Sequence, residues 1–328
     1  MSVITGGQPS IEPPAPKKRG SGFFGRLAAL PGDIARHWND YLYIIPALGI
    51  MLVVIAYPIF YTVRLSFYST PANLAMDDKI WVGLDNFKRI LQSESFRNVT
   101  QNTLEWTILS TFFAYMIGLG AALVVQREFP GRSVVRGVLL IPWVISYVSA
   151  AYIWKWLYHS DYGLINDTLV RLRIVDENIN ILDNIHRALP ALIIANIWKE
   201  FPFAMIMLLA GLQGVPDQLH RAARVDGAGT WARFWHITMP QLKSVSIVTI
   251  LLLLLTNLNS FTLVWIMTGG GPAGSTDIWI TQIYQLAFGR TRFGVASAYS
   301  VILFLVMMSL GYFYVKALTR GDERREGA

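Results

Sequence analysis

The sequence predicts an all-α integral membrane protein with six transmembrane helices. Three observations carry that prediction. Only 15% of the 328 residues are charged, against about 25% in soluble domains, while 53% are hydrophobic and the mean hydropathy is +0.41. The charges gather between long apolar stretches and are sparse within them. Six such stretches reach the roughly 20 residues a helix needs to cross about 30 Å of hydrocarbon.

The chain opens on a tail. Pro9, Pro13, Pro14 and Pro16 precede Lys17, Lys18 and Arg19, with no apolar core of a cleavable signal. Residues 1–40 are therefore expected to form a cytoplasmic tail, disordered at its start. Phe23, Phe24, Leu27, Leu30 and Ile34, with Arg26 and Arg36 among them, read either as a short helix on the inner leaflet or as a linker. Pro31-Gly32 would break that helix. The spans are placed near 42–66, 103–125, 137–157, 188–212, 244–268 and 294–317, inside one membrane domain over 41–319. Residues 320–328 form a short C-terminal tail. The outer loop 158–187 carries turn signals at Asp161-Tyr162-Gly163 and Asn166-Asp167, with a short helix expected at 168–173. No repeat with a solenoid period is present.

Orientation follows from the basic residues. Arg127, Arg132 and Arg136 occupy the 126–136 loop, and Arg221, Arg224, Arg233 and Lys243 the 213–243 loop. The opposite loops offset their bases with Asp77, Asp78, Asp85, Asp161, Asp167 and Asp176. Both termini and both basic loops are therefore expected in the cytoplasm of a bacterial inner-membrane protein. This distribution explains the net charge of +7 without a nucleic-acid partner. Trp106, Trp143, Trp154, Trp156 and Tyr158 fall near span ends, where amphipathic rings sit, and Lys155 is expected to snorkel to the outer interface.

Several chemistries are excluded. With no cysteine there is no disulfide, thiol nucleophile or thiolate metal site. His37, His159, His186, His220 and His236 lie in loops or at span ends without metal-ligand spacing. Neither a nucleophile elbow nor a Gly-x4-Gly-Lys-Ser/Thr phosphate loop occurs. The chain is expected to be no enzyme and to hold no metal, cofactor or nucleotide of its own.

The 213–243 loop is the most informative segment. Asp217 follows Pro216 and can begin a helix whose Leu219, Ala222, Ala223 and Val225 form a small apolar face. Gly227 and Gly229 stop it. Thr230 can cap a second short helix carrying Trp231, Phe234, Trp235 and Ile237, and Pro240 suits the first turn of the next span. From the residues alone the loop is either a docking surface for a cytoplasmic partner or an amphipathic connector on the inner leaflet.

The spacing resembles the coupling motif of permease subunits in binding-protein-dependent ABC importers: Glu-Ala-Ala, three residues, Gly, nine residues, Ile, one residue, Leu, Pro. Ala222-Ala223, Gly227, Ile237 and Pro240 match, and Met239 replaces Leu. The run through Asp226 to Ala228 looks like the carbohydrate branch of maltose and glycerol-phosphate permeases. So do Asn196-Ile197-Trp198, Phe201-Pro202-Phe203 and Thr268-Gly269-Gly270-Gly271-Pro272. The resemblance covers most of residues 40–320 and implies the type I ABC importer permease fold. One position departs: Arg221 stands where the family has Glu. In relatives that carboxylate pairs with an Arg of the ATPase. Here either the ATPase offers a carboxylate or carbonyl to Arg221, or Arg221 faces lipid phosphate or solvent while the alanine face carries docking.

Polar groups inside spans are costly and mark candidate sites. Span four holds Lys199, Glu200 and Phe203; span five holds Asn257, Asn259 and Ser260. Recognising a sugar needs donors and acceptors for hydroxyls and an aromatic plane for the ring face, and these spans supply both. Pro202 could free a carbonyl to line a cavity. The resemblance carries the solute path onto these six residues. The alternative readings are that Asn257 only bonds neighbouring helices and that Lys199-Glu200 is a buried ion pair with a second permease.

The resemblance further implies the partners: a second homologous permease, a dimer of ABC ATPases binding ATP and Mg, a periplasmic solute-binding protein and a carbohydrate-type solute. The rival reading is an ion-coupled secondary transporter, for which Glu200 is the clear mid-membrane carboxylate.

Overall fold

A computed structural model describes residues 38–69 and 79–326, with side chains over 43–69 and 79–316. The readings made for residues 1–37, for Asp77 and Asp78 and for 327–328 lie outside the described residues. The chain divides into two compact units, Met1–Phe60 and Tyr61–Ala328.

The first unit holds α1 (Trp38–Met51), a π-helical turn, Leu52–Ala56, and the start of α2 (Tyr57–Leu65), within which the division falls. Tyr43–Leu65 is one apolar helical stretch of 23 residues, matching the first predicted span.

The second unit is almost wholly helical. Its one described sheet is a small antiparallel pair, β1 (Tyr68–Ser69) and β2 (Ile80–Trp81), with the Tyr68 and Trp81 rings edge to face at 5.1 Å. α3 (Asp85–Gln92) leads to α4 (Glu94–Gln126), which Ser93 caps by accepting from the Phe96 N–H at 3.1 Å. α4 packs along α8 (Ala188–Gln213). Their approach depends on Gly118, where a Cβ would lie 2.6 Å from Ala204 Cβ and 2.9 Å from Phe201 O. Phe112, Phe113 and Ile117 point outward from α4 while Trp106, Ala114 and Tyr115 are buried. Hydrocarbon replaces water outside, so apolar residues cover the surface.

The third predicted span is broken. α5 (Arg132–Val144) and α6 (Tyr147–Leu157) meet at 95°. Pro142 removes a helical N–H, Ile145 is extended, and the Ser146 hydroxyl starts a new helix by accepting from the Ser149 N–H at 3.1 Å. Five described helices are long and apolar enough to cross a membrane, six if this pair counts as one.

The 158–187 loop holds α7 (Leu164–Arg171), a few residues earlier than predicted. Buried Asn166 pins it, donating to His159 O at 3.0 Å and Ile179 O at 3.1 Å. α8 contains Pro202 without unwinding, contrary to the expectation of an opened carbonyl.

After α9 (Asp217–Val225), the predicted second short helix is not separate. α10 (Thr230–Arg233), a π-helical turn Phe234–Thr238 and α11 (Met239–Leu258) form one helix of 29 residues. Thr230 is its first residue and Gly229 its cap, so Thr230 does not cap. The predicted 244–268 span ends early at Leu258, and α12 (Thr262–Thr268) follows a break at residues 259–261. α13 (Trp279–Tyr284) and a π turn, Gln285–Gly289, lead to α14 (Phe293–Glu326), which continues helically into the expected C-terminal tail.

Candidate translocation cleft and docking loop

Lys199 and Glu200 sit mid-way along α8, 3% and 4% exposed. They do not face each other as a pair. Lys199 Nζ donates to the Trp143 carbonyl at 2.8 Å and lies 4.7 Å from the centre of the Tyr147 ring. The Tyr147 hydroxyl donates to Glu200 Oε1. Phe203 stacks on Trp143 at 6.2 Å. Three sequence-predicted residues of α8 are thus engaged by the bend between α5 and α6. Lys88–Asp85 and Arg171–Asp167 are ion pairs of a different kind, with both side chains exposed.

The break after α11 forms the other wall. A cleft of about 450 Å³ is lined by Tyr147, Leu255, Thr256, Asn259, Ser260 and Phe261. Asn259 is exposed, its amide donating to Leu255 O at 3.1 Å. The Ser260 hydroxyl is buried and has no protein partner. Phe261 stacks on Trp265 at 5.5 Å, close to Tyr284. A hydroxyl, an amide and aromatic faces in one cleft are the groups that hold a polyhydroxylated ring.

Asn257 is placed elsewhere. It is fully buried, accepts from Asn196 Nδ2 at 2.6 Å and donates to Thr111 Oγ1 at 3.1 Å. Its bonds go to neighbouring helices, and it does not line the cleft. Trp106, read as an interfacial ring, is also fully buried and donates to the Asn257 carbonyl at 3.1 Å. Tyr147 is the residue sequence reading passed over; its signal was a hydroxyl inside an apolar stretch, directly after a Ser cap.

On the opposite side of the break lies the loop. α9 has no buried residue. Arg221, Ala222, Asp226 and Gly227 are exposed and Ala223 is half-buried. The helix closes through the Ala228 N–H on Ala223 O at 2.8 Å and the Gly227 N–H on Arg224 O at 3.1 Å, with Gly227 at φ +79°. That left-handed residue is the usual helix-ending glycine. Ile237 is half-buried in the π turn and Pro240 exposed one turn on. Val225 is 88% exposed and Trp231 73%, an apolar surface of the kind that marks an interface.

Residues 114–321 match the family described as binding-protein-dependent transport system inner membrane component. The chain belongs to this family. It is 36% identical over 279 residues to the trehalose/maltose transport system permease protein MalF of Thermococcus litoralis, covering 84% of this chain and 92% of that one. It is 33% identical over 281 residues to the sulfoquinovosyl glycerol transport system permease protein SmoG of Agrobacterium fabrum, covering 86% and 90%. Among solved structures it resembles a chain of a bacterial ABC transporter involved in import of the acidic polysaccharide alginate. The TM-score there is 0.75, at 25% identity over 89% of this chain and 98% of the other. The fold is that of a type I ABC importer permease. The broken third and fifth stretches and the exposed α9 are therefore features of a multi-pass importer subunit.

Proposed function

We propose that this permease forms half of the translocation path of an ATP-driven importer for a sugar, oligosaccharide or glycoside. A second homologous permease supplies the other half. Two ATPase subunits, which bind the ATP and Mg, dock on the 213–243 loop, and a periplasmic solute-binding protein delivers solute from outside. Both termini lie in the cytoplasm, flanking the membrane domain over 41–319. The observation that carries this reading is the cleft at Tyr147, Asn259 and Ser260: it offers sugar-type contacts at the end of a helix that starts in the docking loop. The names of the trehalose/maltose and sulfoquinovosyl glycerol permeases support the solute class.

In this scheme Asn259 and Ser260 bond solute hydroxyls. Lys199 and Glu200 fix the Tyr147 ring at the cleft wall, Phe203 backs Trp143, and Asn257 supports the break from behind. Ala222, Ala223, Asp226, Gly227, Ile237 and Pro240 shape the docking surface, and Arg221 rides on it. ATP binding biases a two-state equilibrium between inward and outward cavities; it does not push the solute.

The test is uptake of labelled maltose-type sugars and charged glycosides by proteoliposomes holding both permeases and the ATPases, with the binding protein outside. Uptake is expected to need ATP and the binding protein. Uptake that persists without ATP and collapses with the proton gradient would instead assign an ion-coupled transporter, with Glu200 as the coupling carboxylate.

A further inference from the structure

The helices that bracket the docking loop are α8, leading in, and the 230–258 helix, leading out. They touch closely at two levels. Near the loop, a Cβ on Gly211 would lie 2.9 Å from Leu242 Cδ2. Near the cleft, Asn196 Nδ2 donates to Asn257 Oδ1 at 2.6 Å. The two levels are equally separated along both antiparallel helices, by roughly 22 Å at 1.5 Å per residue. At the upper level a third helix joins: Asn257 Nδ2 donates to Thr111 Oγ1 at 3.1 Å, and Trp106 Nε1 donates to Asn257 O at 3.1 Å. Asn196, Asn257 and Trp106 have no exposed surface. Asn257 stands two residues before Asn259, where the helix breaks at the cleft.

We infer that Asn257 is a positioning residue for coupling: it locks α4, α8 and α11 into one body, so that displacement of the docking loop reaches the Asn259–Phe261 break undiminished. This inference rests on the import reading above. Within hydrocarbon an amide has no water to fall back on, so its bonds form with neighbouring helices or not at all. Three further polar atoms are buried without partners: Asn196 Oδ1, Ser110 Oγ and Thr107 Oγ1. Ser110 and Thr107 lie within one turn of Thr111 on α4.

The experiment uses the whole complex in proteoliposomes and reads the ratio of ATP hydrolysis with and without solute-loaded binding protein. Thr111→Val, which deletes one acceptor, is expected to lower the ratio about threefold, and Asn257→Leu about tenfold. Basal hydrolysis and complex assembly should persist, and Thr111→Ser should restore the ratio. An unchanged ratio in Asn257→Leu overturns the role. So does a Thr111→Ser variant as impaired as Thr111→Val, because packing would then be the cause. If Asn257→Leu does not assemble, the Thr111 pair alone decides in the same two directions. A wild-type complex whose hydrolysis ignores the binding protein overturns the import reading itself.

Discussion

The Tyr147 hydroxyl bonds the Glu200 carboxylate, tying the first residue of α6 to the middle of α8. The same ring takes the Lys199 ammonium on its face. A buried carboxylate needs a donor. Tyr147→Phe removes it while keeping the ring, and should destabilise the chain by about 1–3 kcal/mol. Glu200→Gln retains an acceptor for the phenol and should cost less. Thermal unfolding of the purified permease checks the order, and a Tyr147→Phe midpoint equal to wild type would show that the bond contributes nothing.

Gly118 sets the distance between α4 and α8. Any side chain there meets Ala204 and the backbone of Phe201 and Met205. Gly118→Ala should cost about 1–3 kcal/mol as the helices part, and Gly118→Leu should abolish stable expression in the membrane. Gly120 meets nothing within 4 Å, so Gly120→Ala is the matched control and should express normally.

Docking carried by the α9 surface predicts opposite fates for two neighbours. Arg221→Glu changes an exposed charge, whose ion pairs are worth about 0–1 kcal/mol, and should leave solute-stimulated ATP hydrolysis within about twofold. Gly227→Val forces a β-branched residue to φ +79°, costs at least about 1–2 kcal/mol, and should uncouple hydrolysis from uptake. A severe loss in Arg221→Glu would instead assign Arg221 a specific ATPase partner.

Asp277, in the loop before α13, is 5% exposed. Burial pushes its carboxyl up from 3.8 to about 6, opposed by the Thr281 hydrogen bond and the nearby Arg290 charge. The folded state therefore holds the proton more tightly than the unfolded one. Its contribution to stability is full below pH 3.8 and is lost as pH rises through about 6. Asp277→Asn should match wild type near pH 4 and unfold at higher temperature above pH 6, because its amide oxygen still accepts from Thr281. Parallel melting curves for the two proteins across that range would remove the group from the pH dependence.

Much of this was legible because span length and loop charge are local properties. α8 coincides with its predicted span, α4 and α14 contain theirs and extend beyond them, and Pro216-Asp217 with Gly227 bounded α9. The 95° bend was not legible from hydropathy, which averages over α5 and α6; Pro142 and Ser146 carried the signal. The polar cluster after the leucines was singled out correctly as a group. Its division was hidden, since the rotation of α11 against α4 sends Asn257 inward and leaves Asn259 at the cleft. The fusion of α10 with α11 runs through a π turn that no residue type announces.

The bend has a consequence for the bilayer. α5 has 13 residues and α6 has 11, lengths of about 20 Å and 16 Å. Neither leg alone matches roughly 30 Å of hydrocarbon. Along this flank the permease is a wall built short of full height, next to Lys199, Glu200 and Tyr147. Beside a leg this short, lipid must thin to keep its apolar match. A second permease, as the proposed importer would supply, would restore the missing height and spare the bilayer that thinning.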